Sequence, residues 1–241
     1  MGRYLWGVES IFLIVILVEY VLLVTTAAPM FMVSRFNSRP NLGIAAWFAL
    51  FFSVFLAGIV AVALASWSIF ETYIRLQAGE ELWFTLLASI APWVLLGFAG
   101  ILVALANQKL APLFTQGKRA DYLSLIAPRE LFKYRRARVY ELDVPNYFAF
   151  TKDFGIYLTK AVFDLPTNQL QAILRHEYGH IALGHQKLKR ITALAIQLMP
   201  WFAVSRAFSK EVDRLCELAA DNYALRKVYS KDLYEARALF I

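Results

Sequence analysis

Cysteine and charge are scarce in this sequence of 241 residues. Its single cysteine, Cys216, excludes an intrachain disulfide, which suits a reducing compartment, and it lacks the spacing of a cysteine metal site. Two long runs, residues 42–70 and 82–106, contain no charged side chain at all. Each exceeds the roughly 20 residues that a helix needs to cross a bilayer. With 59% hydrophobic residues, against about half in soluble domains, the sequence predicts a membrane protein.

A third candidate span covers residues 10–33 and is interrupted only by Glu19. We expect this segment to remain as a membrane anchor and not to be cleaved as a signal peptide, because the glutamate lies inside the apolar run and further spans follow. Glu19 itself leaves two interpretations open. It is either a functional ionisable group or a neutral acid that faces other helices.

The net charge of +7 is concentrated after the third span, since lysine and arginine far outnumber acidic residues between positions 107 and 140. The positive-inside rule places this segment in the cytoplasm. The loop between the second and third spans carries Glu71, Glu80 and Glu81 and is predicted to face outside. A basic stretch beside a span is expected to contact anionic lipid headgroups. Membrane lipids are therefore predicted partners, and direct binding of nucleic acid is not expected.

Histidine is scarce as well, with three in the chain, and two of them fall in Arg175-His176-Glu177-Tyr178-Gly179-His180. Side chains four residues apart lie on one face of a helix, so both imidazoles can reach one metal ion. Glu177 is placed to take a proton from a water molecule that the metal activates. This pattern is typical of zinc peptidases, although HExxH also occurs by chance, so its context decides.

The context is a small sheet followed by a helix. Residues 138–144 alternate in polarity, and residues 146–151 and 155–163 predict two more strands separated by a turn. Residues 164–167, Asp-Leu-Pro-Thr, are a helix-start signal, and the helix that begins there carries the motif.

A zinc hydrolase needs a third protein ligand and an open position for water. The candidate ligand is Glu217, and Asp221 shares its helix face one turn later. Asp221 could orient one of the histidines from behind. An acidic pair at this spacing is usually a solvated helix face, but Ala219 and Ala220 between the two acids allow a second helix to pack closely.

Residues 191–208 are apolar enough to be mistaken for a fourth span. A single crossing would place Glu217 on the opposite side of the membrane from the two histidines. Gln197 and Pro200 instead predict a helix out to about Met199 and a second helix back. We therefore expect a helical hairpin that lies on the membrane or dips into it.

These residues carry a resemblance to known peptidases. Segment 146–180 resembles the strand–strand–helix unit that leads into HExxH in gluzincin-type integral membrane zinc metallopeptidases. Two related groups share it: the HtpX and CAAX-prenyl endopeptidases, and the antirepressor peptidases of the beta-lactam sensor-transducers. The chain is more similar to the second group in three features: the sequence Pro200-Trp201-Phe202, the basic helix that leads into Glu217, and the three preceding spans.

The resemblance implies one zinc ion per chain, bound by His176, His180 and Glu217. It also implies that Glu177 is the general base and that Asp221 orients one of the histidine ligands. It implies a protein of the bacterial cytoplasmic membrane that cleaves a cytosolic transcriptional repressor, or itself, in response to a signal. Because the sequence shows no further span or extracellular domain after Asp221, we expect any signal to arrive through the spans, the outer loop or a partner. Two alternatives stay open, namely HtpX-like quality control of membrane proteins and a non-catalytic signalling scaffold with a structural metal.

Three further expectations concern the surroundings of the site. His185 does not have the spacing of a third histidine ligand and is expected at the surface or rim. Tyr223, Asn222 and Arg226 are unranked candidates for stabilising the oxyanion. The strand predicted at 155–163 could offer its edge to an extended substrate.

The sequence thus predicts a mainly α membrane protein with three transmembrane helices in residues 1–106. A basic cytoplasmic linker follows at 107–137. The remainder, 138–241, is predicted as a small α+β zinc metallopeptidase domain with a helical hairpin between the metal ligands. The oligomeric state is left open.

Overall fold

The computed structural model describes residues 5–79, 81–110, 127–198 and 203–240. Residues 111–126 of the predicted basic linker and the predicted hairpin turn at 199–202 lie outside the described residues. The chain forms two compact units. The first comprises Met1–Arg35, Ala45–Thr115 and Ala195–Phe208, and the second comprises Phe36–Ile44, Gln116–Leu194 and Ser209–Ile241.

Three long apolar helices account for most of the first unit: α1 (Leu5–Met32), α2 (Pro40–Gln77) and α3 (Leu82–Leu110). Each is long and apolar enough to cross a membrane, and only 22%, 28% and 11% of the residues in their apolar windows are buried. This confirms the three predicted helices in number and position. With 38 residues, α2 is roughly 57 Å long at 1.5 Å per residue, so it extends well beyond a hydrocarbon core of about 30 Å.

Aromatic residues pack within the first unit. The ring of Phe208 stacks on Phe51 with centroids 4.8 Å apart and meets the edge of Phe48 at 4.9 Å. Trp47 is fully buried beside them. Glu19, in contrast, lies on the exposed side of α1, so no described helix covers it.

A four-stranded sheet opens the second unit, with strands β1 (Arg129–Tyr134), β2 (Ala137–Leu142), β3 (Ala149–Lys152) and β4 (Gly155–Thr159) in the order β1-β2-β4-β3. The β2–β4 pair is parallel, and the other two pairs are antiparallel. Sequence patterning did not predict β1, which lies in the segment assigned to the linker. Nearly every residue of β1 is exposed, so the strand lacks the alternation that marks a half-buried strand.

Two expectations about the third predicted strand are wrong. Residues 160–163 form the short helix α4 (Lys160–Phe163) and not the end of a strand, because the pairing of β4 with β2 ends at Thr159. The edge expectation fails too, since β4 lies between β2 and β3 and has no free edge. Among the described strands, β3 is the one with a free edge on this side of the sheet.

Four more helices complete the described chain: α5 (Thr167–Ala182), α6 (His185–Leu198), α7 (Ala203–Ala224) and α8 (Ser230–Arg237). The apolar face of α5, with Ile173, Leu174 and Tyr178, packs on Val139, Ile156 and other side chains of the sheet. Of the stretch 191–208, the structure describes the part of α6 up to Leu198 and the part of α7 from Ala203, and α7 brings Glu217 beside the two histidines, as the hairpin prediction requires.

Candidate metal centre

The HExxH motif lies in the buried middle of α5. His176 and His180 are one helical turn apart, and their Nε2 atoms lie 3.3 Å from each other. Both imidazoles are more than nine-tenths buried, as is Glu177 between them. The helix begins after Pro166, a residue type suited to helix starts because it lacks the N–H group that would be left unpaired there.

The third predicted ligand reaches the two histidines from α7. Glu217 Oε2 lies 3.4 Å from Nε2 of His176 and 3.6 Å from Nε2 of His180. Tetrahedral zinc with bonds of about 2.0–2.1 Å holds its ligand atoms about 3.3–3.4 Å apart. The two imidazole nitrogens and the carboxylate oxygen therefore fit three corners of such a site, and this group could hold a metal ion.

Close packing of two helices brings the ligands together. A Cβ atom on Gly179 of α5 would lie 3.2 Å from the Cα of Ala220 on α7 and 3.3 Å from the Tyr223 side chain. Ala220 is fully buried, and Ala219 is nearly so. The small residues beside Glu217 thus allow the close approach that the sequence predicts.

Asp221 lies behind His176. Its Oδ1 is 2.8 Å from Nδ1 of His176, the ring nitrogen that faces away from Glu217, and its carboxylate also forms an ion pair with Arg237 of α8. Burial alone would lower the pKa of His176, but the contacts with Asp221 and Glu217 outweigh it and raise the pKa to about 9. This is the placement that the sequence predicts for Asp221.

The expectation for His185 is wrong, because this residue is buried and not at the surface. Only 1% of it is exposed, and its Nδ1 lies 2.9 Å from Nδ1 of His180. Burial, together with the neighbouring His180, lowers the pKa of His185 to about 3. The preceding residue, Gly184, has a φ angle of 69° and turns the chain between α5 and α6.

Glu217 has a second neighbour on its other oxygen. Lys189 of α6 places its Nζ 3.4 Å from Oε1 of Glu217, and both side chains are about 40% exposed. Burial by itself would raise the pKa of Glu217, but the contacts with His176 and His180 hold it well below the usual range. Glu217 is therefore an anionic group between two imidazoles.

Glu177 is held by the edge strand of the sheet. The hydroxyl of Thr151 on β3 donates a hydrogen bond of 2.6 Å to Oε2 of Glu177. The same hydroxyl lies 3.3 Å from the carbonyl oxygen of Glu177. The side chain that the motif assigns to proton transfer is thus fixed in place beside the free strand edge.

Two cavities flank Glu177. One of about 250 Å³ has an apolar wall of Phe148, Ile173, Leu233 and Phe240, and His176, Glu217 and Arg237 also line it. The other, of about 480 Å³, is lined by residues of β3, α5 and α6 that include Thr151, His180, His185 and Lys189. Glu177 and Glu217 line both cavities, so space for a substrate lies on either side of the motif.

The three unranked oxyanion candidates line neither of these two cavities. Tyr223 packs beside Gly179 and accepts a hydrogen bond of 2.8 Å from Arg135. Arg237 lines both cavities instead. Sequence reasoning did not find Arg237 or Thr151 because neither belongs to a recognisable motif.

Comparison with known proteins finds a family match in the second half of the chain. Residues 122–240 match the family model described as Peptidase family M48. Neither a curated protein nor a solved structure matches the chain. The match spans the sheet, the HExxH helix and the helix of Glu217, and it agrees with the first of the two groups that the sequence resembles, the HtpX and CAAX-prenyl endopeptidases. Residues 122–240 of this chain are thus similar to the metallopeptidases of family M48.

Proposed function

We propose that this chain is a membrane-bound zinc metalloendopeptidase that hydrolyses peptide bonds of a protein substrate at the cytoplasmic face. The observation that carries the proposal is the triangle formed by His176, His180 and Glu217, with Glu177 beside it and a free strand edge next to Glu177. A structural metal site has no need of a general base or of open space next to its ligands.

The residues of this chain divide the chemistry between them. His176, His180 and Glu217 would hold zinc, which when bound polarises the peptide carbonyl and lowers the pKa of a water molecule. The Glu177 carboxylate accepts the proton of the attacking water and then delivers it to the leaving amine. Thr151 keeps that carboxylate in one orientation through its 2.6 Å hydrogen bond.

The β3 edge and the apolar wall of the 250 Å³ cavity suggest how a substrate binds. An extended peptide can add to a free strand edge through main-chain hydrogen bonds, and β3 offers such an edge beside Glu177. One side chain of that peptide would enter the cavity walled by Phe148, Ile173, Leu233 and Phe240. We therefore expect a preference for an apolar residue next to the scissile bond.

The cytoplasmic location and the partners are part of the proposal. The surplus of lysine and arginine at 107–140 supports an active site on the cytoplasmic side of a bacterial membrane. The proposed substrate is a protein such as a transcriptional repressor, or this chain itself, and the proposed lipid contacts are anionic headgroups. Labelling with a membrane-impermeant thiol reagent tests which side of the membrane each region faces. The natural cysteine is first removed by Cys216→Ala. The cysteine of Gly79→Cys should then react in intact cells, whereas that of Lys187→Cys should react only after permeabilisation.

Cleavage by matched variants tests the chemistry. With a peptide substrate, the full-length wild-type protein in detergent should show turnover that a chelator removes and added zinc restores. Glu177→Gln should lose turnover by a factor of about 10²–10⁴, the usual contribution of general acid–base catalysis, yet keep its zinc. His176→Ala should lose both zinc and turnover. Zinc-loaded Glu177→Gln that cleaves at the wild-type rate would refute the mechanism.

A second candidate function is the HtpX-like quality control of membrane proteins. The match to family M48 favours it, because this match agrees with the HtpX and CAAX-prenyl group of the two that the sequence resembles. Substrate breadth separates the two: cleavage of many misfolded membrane proteins would support quality control, and cleavage of one repressor would support regulated signalling. Bound zinc without cleavage of any substrate would instead favour the scaffold alternative.

A further inference from the structure

We propose that His185 is a positioning residue of the metal centre: its Nδ1 accepts a hydrogen bond from Nδ1–H of His180 and holds the His180 ring with Nε2 turned toward the metal. This inference rests on the zinc site of the proposed function. It adds a residue on α6 to a site otherwise assembled from α5 and α7.

The contact between the two rings is short and buried. Their Nδ1 atoms lie 2.9 Å apart, the rings are inclined at 76°, and His185 is 1% exposed. Nε2 of His185 has no hydrogen-bond partner among the residues that the structure describes. The pairing with His180 is therefore the polar contact that accounts for a histidine at this buried position.

The distribution of protons follows from the geometry of the ligands. A neutral imidazole has one donor and one acceptor nitrogen. His180 directs Nε2 toward Nε2 of His176 and Oε2 of Glu217, so the lone pair that binds a metal is on Nε2 and the proton is on Nδ1. Nδ1 of His185 is the atom in position to accept that proton, which leaves the His185 proton on Nε2.

A local turn makes the contact possible. In an uninterrupted helix, residues five apart point in directions about 140° from each other, so His180 and His185 could not meet. Here α5 ends at Ala182 and α6 begins at His185, with Gly184 in the left-handed region at a φ angle of 69°. The N–H of Gly184 donates to the carbonyl oxygen of Ile181, and the chain turns so that His185 packs against His180.

Each histidine ligand thus has its own acceptor behind it. Asp221 lies at Nδ1 of His176 and His185 at Nδ1 of His180. Such partners fix the tautomer and orientation of a ligating imidazole, and their loss typically costs about 10–100-fold in metal affinity. A residue that only filled space at position 185 would contribute packing and leave the orientation of the His180 ring free.

Two substitutions at position 185 separate acceptor from packing. His185→Asn keeps an acceptor close to the position of Nδ1, whereas His185→Leu keeps an apolar side chain of similar size and removes the acceptor. Zinc affinity is measured on the full-length protein in detergent by competition with a chelator, and thermal unfolding of the metal-free forms is measured beside it. We expect His185→Leu to bind zinc about 10–100-fold more weakly and His185→Asn to stay close to wild type. Lys187→Leu, an exposed position on the same helix, is the control and should match wild type.

The outcomes that overturn the inference are distinct from failure of the proposed function. Wild-type affinity in His185→Leu, or equal weakening in the leucine and asparagine variants, would show that His185 does not act as an acceptor. Absence of zinc binding by the wild-type protein would instead overturn the metal site itself. If His185→Leu does not fold, His185→Ala takes its place, because it also removes the acceptor; wild-type zinc affinity in that variant would contradict the inference.

Discussion

Each of the three candidate ligands contacts a further polar side chain. His176 faces Asp221, His180 faces His185, and Glu217 faces Lys189. The first two contacts are buried, whereas the Lys189–Glu217 pair is about 40% exposed on both sides and is screened by solvent. The orientation of the imidazoles should therefore depend on buried neighbours, and the affinity for metal should depend little on the exposed lysine.

Substitution of Asp221 tests this dependence. Asp221→Asn keeps the size of the side chain but removes the charge that faces His176 and pairs with Arg237. We expect zinc affinity to fall by a factor of about 10–100, measured by chelator competition. Asp143→Asn, an exposed position, is the control. Equal affinity in the two variants would show that Asp221 does not support the site.

At the scale of helices and strands, packing of α5 against α7 sets the distance between the ligands. Gly179 and Ala220 are in close contact, one residue from His180 and one residue from Asp221. The neighbour that a new Cβ would meet first is backbone, the Cα of Ala220, and cannot rotate away. Separation of the two helices by a few tenths of an ångström would move Glu217 relative to both histidines.

Gly179→Ala is therefore expected to weaken zinc binding although alanine favours a helix. The gain in helix propensity is about 0.5–1 kcal/mol, but the added methyl group lies 3.2–3.3 Å from its neighbours. Zinc affinity and helix content are measured together, and we expect the first to fall while the second is retained. Gly97→Ala, where a Cβ meets nothing within 4 Å, should bind zinc as wild type does, and an equal effect at the two positions would contradict the packing argument.

The sequence predicts local spacing along a helix better than it predicts contacts between distant parts of the chain. The HExxH pair was predictable because residues four apart on a helix share a face whatever surrounds them. Glu217 could be proposed because it belongs to an acidic pair with small residues between the two acids, and Gln197 and Pro200 allowed a helix that returns it to the histidines. Thr151 and His185 could not, since their contacts with the motif depend on strand order and on the turn at Gly184. The strand β1 was missed because its exposed residues show no alternation.

At the scale of the whole molecule, a membrane region and a peptidase region are combined in one chain. The three apolar helices were predictable because a bilayer requires long runs without charge, and the structure has them in the predicted places. The division of the chain into compact units was less predictable. The first residues of α2 belong to the second unit: a Cβ on Gly43 would lie 3.0 Å from the side chain of Leu215, and Arg214 donates a hydrogen bond to Asn37.

The central claim is that His176, His180 and Glu217 bind a zinc ion and that Glu177 acts as the base. The most direct test measures zinc stoichiometry in three purified full-length proteins and follows cleavage in the same samples. We expect about one zinc per chain in wild type and in Glu177→Gln, and less in Glu217→Ala, because only the last lacks a ligand. Cleavage is expected in wild type alone. Full zinc occupancy in Glu217→Ala would contradict the proposed ligand set, and undiminished cleavage by Glu177→Gln would contradict the assigned base.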